Sequence, residues 1–107
     1  MKNKIDYADC PASETIALLG GRWKLIILHV LCKHARRFGE IGVRIPAISK
    51  KVLTEQLKEL EADGLISKKQ FNEFPPRVEY SLTDYGETLR PLLAYMSAWK
   101  KGNVQDD

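Results

Sequence analysis

Two hydrophobic periods divide the chain. In the first two thirds, apolar residues recur at helical spacing. Pro11 suits the first turn of a helix, where its missing N–H costs nothing, and Ile16, Ala17, Leu18 and Leu19 run from there to a stop at Gly20-Gly21. A second helix is predicted from about Trp23 to Cys32, apolar nearly all round and therefore central, with neighbours on several sides. Phe38, Ile41 and Ile45 predict a short helix over Phe38 to Arg44 that packing must hold, because Gly39 and Gly42 make it weak in isolation. Pro46 ends it, and Ala47-Ile48 makes a tight connection to Ser49, a good N-cap. The helix from Ser49 to Asp63 has the clearest pattern, with Leu53, Leu57 and Leu60 on one stripe and Gly64 as terminator.

After Gly64 the period drops to two. Leu65 to Phe71 is predicted as a strand and Asn72 to Pro76 as a loop. Arg77 to Leu82 follows as a second strand, Val78, Tyr80 and Leu82 alternating with Glu79 and Ser81. Thr83 caps a last helix running to about Lys100 with a kink at Pro91, and Asp84 and Glu87 suit its positive end. The predicted fold is mainly α with a two-stranded β-hairpin: a winged helix-turn-helix. No repeat or linker divides the chain, so residues 1–107 are expected to form one such domain with a core over about 10–100.

Composition narrows the class. A hydrophobic fraction of 44% with 29% charged residues is that of a globular protein rather than a disordered one. The apolar runs are too short to span a membrane, and the first residues lack the apolar stretch of a secretory signal, so a soluble, cytoplasmic protein without a membrane partner is expected. Two cysteines make no disulfide scaffold, and there is no C-x-x-C pair. No phosphate-cradling glycine motif is present, and His29 and His34 have no carboxylate or nucleophile at motif spacing, so neither an enzyme nor a cofactor is expected. His29 and Cys32, at i and i+3, are expected as a satisfied core pair rather than metal ligands, since two ligands make no site.

The net charge of +3 conceals a local bias. Residues 21–52 hold eight basic side chains against Glu40 alone, a net +7, while the segments on either side are slightly acidic. A basic block of this kind suits an anionic partner. With Leu53 pointing inward at 100° per residue, Lys51, Glu55 and Lys58 point outward and Thr54 lies on the flank. Lys50 sits beside Ser49 at the positive end of the helix. These are donors for phosphates and base edges of double-stranded DNA, whose major groove admits a helix. Glu55 either accepts from a cytosine amino group or balances Lys51 and Lys58. Arg36 and Arg37 extend the basic surface, and Arg77 beside Pro75-Pro76 would probe the flanking backbone or minor groove. Phe74 is either a partly exposed contact or a plug beneath that loop, and the plug is the favoured reading.

The segments Cys10-Pro11, Leu19-Gly20-Gly21-Arg22-Trp23-Lys24 and Arg37-Phe38-Gly39-Glu40-Ile41 resemble those of the HxlR-type winged-helix transcriptional regulators, relatives of the MarR regulators. So do Ile48-Ser49-x-Lys51-x-Leu53-Thr54-x-x-Leu57-x-x-Leu60-x-x-Asp63-Gly64-Leu65 and Pro75-Pro76-Arg77-Val78-Glu79-Tyr80-Ser81-Leu82-Thr83. The match covers about residues 10 to 99. It departs at Ala47, where glycine is common, and at Gly42, which weakens the supporting helix. The resemblance implies a bacterial homodimer on operator DNA, with the helix from Ser49 as reader and Asn72–Pro76 as wing.

Leu92, Tyr95, Met96 and Trp99 form a stripe on the last helix; Leu89 and Leu92 are expected to pack on the domain's own core, beyond which little chain remains to cover Tyr95, Met96 and Trp99. With Ile16 and Leu19 of the first helix the stripe is expected to form a two-fold interface. Cys10, at a helix start whose dipole favours a thiolate, is a candidate redox sensor. Some members of the resembled family sense oxidants through a cysteine in this region, although Asp6, Asp9 and Glu14 would oppose the charge. Cys32 is expected as an apolar filler. A small-molecule effector is compatible with this reading, its identity unknown. An interaction module whose reading helix faces protein is a rival that the basic face disfavours.

Overall fold

The computed structural model describes the backbone of residues 10–105 and the side chains of residues 10–102. Asp6 and Asp9, expected to oppose a thiolate at Cys10, lie outside the described residues, as do the outermost ends of the expected domain. Nine elements follow one another: α1 (Pro11–Leu19), α2 (Lys24–Leu31), β1 (Arg36–Arg37), α3 (Phe38–Arg44), α4 (Lys50–Ala62), β2 (Ile66–Phe71), β3 (Arg77–Leu82), α5 (Asp84–Glu87) and α6 (Arg90–Gln105). Gly21, at φ 93°, makes the turn between α1 and α2. Gly64, at φ 78°, ends α4 in a conformation that a side chain would strain.

One apolar cluster joins these elements. Ile27, Leu28 and Leu31 of α2, Ile41 of α3, Leu53, Leu57 and Leu60 of α4, and Leu65, Ile66 and Leu93 are all buried in it. Buried residues of α2 lie at Ile27, Leu28 and Leu31 while Ile26 stays exposed, so α2 is central on one side rather than all round. His29 is exposed and Cys32 half-buried, so they are not the core pair expected. Lys24 Nζ meets Glu59 Oε1 at 2.8 Å and ties α2 to α4. Thr83 joins three elements. Its hydroxyl donates to Gly64 O at 2.6 Å and accepts from Gly86 N at 3.0 Å, while its N–H donates to Leu65 O.

Two predictions about elements need correcting. The expected two-stranded hairpin is the larger part of a three-stranded antiparallel sheet in the order β1-β3-β2, with Arg36 opposite Tyr80 and Arg37 opposite Glu79. A two-residue strand has no periodicity to show; only β3's free edge makes it one. The last helix is not one kinked element. α5 ends at Glu87 and α6 begins at Arg90, with Pro91 in its first turn, where a proline ring is tolerated.

Candidate nucleic-acid interface

The supporting and reading helices are set by local capping. The Arg37 N–H donates to Glu40 Oε1 at 2.8 Å, closing the start of α3, and this bond holds the Glu40 carboxyl below its ordinary pKa. α3 ends at Ile45, whose N–H reaches Ile41 O and Gly42 O, and Ile48 N–H then donates to Ile45 O. Ser49, extended at φ −80° and ψ 159°, accepts from Val52 N at 3.1 Å and starts α4. Pro46, Ala47 and Ser49 are all exposed, so the turn between the helices is a surface feature.

α4 divides cleanly. Leu53, Leu57 and Leu60 are buried, whereas Ser49, Lys50, Lys51, Thr54, Glu55 and Lys58 are exposed. The Thr54 hydroxyl donates to Lys50 O at 2.8 Å, which leaves its oxygen free to accept. Arg37 and Arg44 are exposed as well. Arg36 is not part of the exposed basic surface. Arg36 is only 5% exposed, and its Nε donates to Val30 O at 3.1 Å. The Arg36-Arg37 pair looks like one basic patch in the sequence, but as strand neighbours the two side chains take opposite faces.

The wing also departs from expectation. Arg77 does not project from its tip. Its guanidinium contacts Glu73 Oε2 and Glu79 Oε2, each at 2.6 Å, and lies 3.8 Å from the centre of the Phe71 ring. Phe74, expected as a plug, is 99% exposed. The exposed cations of the hairpin are Lys68 and Lys69 on β2. Their charge is masked in the sequence because Glu73 and Glu79 balance them in the local sum, and only the side-chain contacts show that Arg77 occupies both carboxylates.

On α1 and α6, Ile16 is 67% exposed and Tyr95 68%, with Leu92, Met96 and Trp99 also exposed. Leu19 is buried in its own chain's core and reaches this surface only as part of a groove wall. A groove of about 630 Å³ lies between α1, the Gly20-Gly21 turn and α6, with Ile16, Leu25, Leu92 and Met96 among its walls. Cys10 precedes α1 and is exposed. Hydrogen bonding from the Ser13 side chain, then from the Ser13 N–H, favours its thiolate and lowers its pKa below the ordinary thiol value. Burial raises the pKa of Cys32.

Residues 18–107 match the family described as HxlR-like helix-turn-helix. The chain belongs to the HxlR-like helix-turn-helix family. It is 46% identical over 100 residues to an HTH-type transcriptional regulator of Halalkalibacterium halodurans, covering 92% of this chain and 88% of that one. It is 43% identical over 94 residues to the HTH-type transcriptional regulator YdeP of Bacillus subtilis, covering 88% and 73%. Among solved structures, the redox regulator HypR in its oxidized form superposes with a TM-score of 0.82 at 40% identity, covering 87% of this chain and 96% of that one. The diamide-treated regulator YodB of B. subtilis gives 0.73 at 40% identity, covering 87% and 93%. An HxlR-like chain of this kind is a transcriptional regulator and not an enzyme, and its winged-helix architecture is shared with these neighbours. No helix among the described residues is long and apolar enough to cross a membrane. Cys10 lies ahead of the residues that match the family.

Proposed function

We propose that this regulator binds operator DNA as a homodimer, with α4 in the major groove and the loop between β2 and β3 on the flanking minor groove or backbone. The observation that carries this reading is the division of α4. Three leucines anchor it to the core, while Lys50, Lys51, Thr54, Glu55 and Lys58 all face solvent. Lys50, Lys51 and Lys58 take phosphates, and Ser49 and Thr54 sit where they reach a phosphate or a base edge. The rival reading, a helix facing a protein partner, gains nothing from so cationic a face.

The exposed stripe of α6 together with Ile16 and the groove beside it supports a two-fold interface. Such an interface would place two reading helices about one DNA turn, roughly 34 Å, apart. Cys10 is the candidate through which an oxidant would alter binding, supported by its exposure and lowered pKa and by the redox chemistry in the names of two structural neighbours. The test is selection of bound fragments from the organism's own genome, with native protein and again after diamide. Recovery of a shared, roughly palindromic sequence, bound by a dimer and lost with salt, is expected. Random fragments, or binding that salt does not weaken, would remove the reading.

A further inference from the structure

The tip of the wing combines features that ordinary solubility does not require. Phe74 is 99% exposed, the most exposed of the large apolar side chains among the described residues. Two prolines follow it, so the loop has little backbone freedom to withdraw the ring. Behind it, Arg77 bridges Glu73 and Glu79 and stacks on Phe71, joining both ends of the loop. That clamp also neutralises acidic groups that phosphates would repel, while Lys68 and Lys69 remain exposed on the adjoining strand. An exposed phenyl ring on a proline-stiffened cationic hairpin, in the same molecule as a cationic helix face, fits a polyanion with apolar surface between its charges. Duplex DNA has that surface at its base steps.

Resting on the DNA-binding reading above, we propose that Phe74 is an apolar wedge that enters the minor groove beside each half-site and partly unstacks one base step. Apolar side chains act in this way in other minor-groove binders, and flexible pyrimidine–purine steps yield most easily. Phe74 therefore adds a sequence preference outside the positions that α4 touches, through deformability rather than hydrogen bonding. The wing's specificity lies in this ring and not in Arg77, which is occupied within the protein.

The test uses duplexes made from the fragments recovered with the native protein, carrying 2-aminopurine at successive positions flanking each half-site. Unstacking brightens this base. The native protein is expected to raise fluorescence at one step per half-site. Phe74→Ala is expected to abolish the rise and weaken binding about tenfold, with an unchanged salt slope because no phosphate contact is lost. Phe74→Leu is expected to retain much of both. The ring packs on nothing, so neither variant threatens the fold. Equal affinity and fluorescence for native protein and Phe74→Ala would overturn the wedge while leaving α4 as reader. So would a loss of affinity with no brightening at any position in the native complex, which would put the ring on the backbone. Absence of salt-dependent binding by the native protein would instead end the DNA-binding reading, and the wedge with it.

Discussion

Arg36 and Arg37 are adjacent arginines with opposite fates, and exchanging each for alanine separates burial from binding. Arg36→Ala removes a hydrogen bond from a charged donor to Val30 O, worth about 1.5–3 kcal/mol. It also leaves that carbonyl without its partner and a gap where the buried side chain packed. A total of about 3 kcal/mol is reasonable, and at about 5 °C per kcal/mol for a domain of this size the melting temperature should fall by about 15 °C. Arg37→Ala should leave the melting temperature nearly unchanged, since its backbone N–H still bonds Glu40. It should lower the slope of log affinity against log salt by about one unit. The assays are thermal unfolding by circular dichroism and fluorescence anisotropy over a salt series, both variants being held well below their unfolding transitions. If Arg36→Ala melted like the native protein and lost a unit of salt slope, its guanidinium would be on phosphate, and the reasoning from burial would be wrong.

Further outcomes follow from the geometry at Ser49, Cys10 and Met96. Ser49→Ala should cost about 1 kcal/mol of stability in urea unfolding by loss of the cap. Ser49→Asp should keep the cap but weaken DNA binding by placing a negative charge toward phosphate, and equal binding by Ser49→Asp and native protein would move the start of α4 away from DNA. Cys10, whose pKa is lowered chiefly by Ser13, should react with iodoacetamide at a lower pH than Cys32, whose pKa burial raises. Ser13→Ala should move the Cys10 alkylation profile to higher pH, because the bond that favours the thiolate is gone; mass spectrometry of each adduct over a pH series decides this. Met96→Asp should shift the protein from dimer to monomer in sedimentation at micromolar concentration while the monomer stays folded, since Met96 is exposed in the single chain.

Much of the reading helix was legible in the sequence because α4 is governed by local rules. Its cap, leucine period and glycine terminator all act within a few residues, and Ser49, Leu53, Leu57, Leu60 and Gly64 stand where those rules place them. The strands of the hairpin were legible for the same reason. The differences lie where a distant strand or side-chain geometry decides. β1 exists because β3 offers it an edge. Arg77 is occupied by Glu73, four residues before it, and by Glu79, two residues after it, a pairing that the geometry of the hairpin and not sequence distance sets. Phe74 is exposed because the short loop offers it nothing to cover.

The sequence alone thus determined the kinds of elements, their order and the outward face of α4, because periodicity and capping are short-range and survive without a fold. Which of two neighbouring arginines is buried, which leucines serve the core and which remain for a partner, and which wing side chain meets the solvent were decided by tertiary packing. Those outcomes turn on whether a chain segment far away in sequence arrives to cover a surface or satisfy a charge, and no local pattern records that.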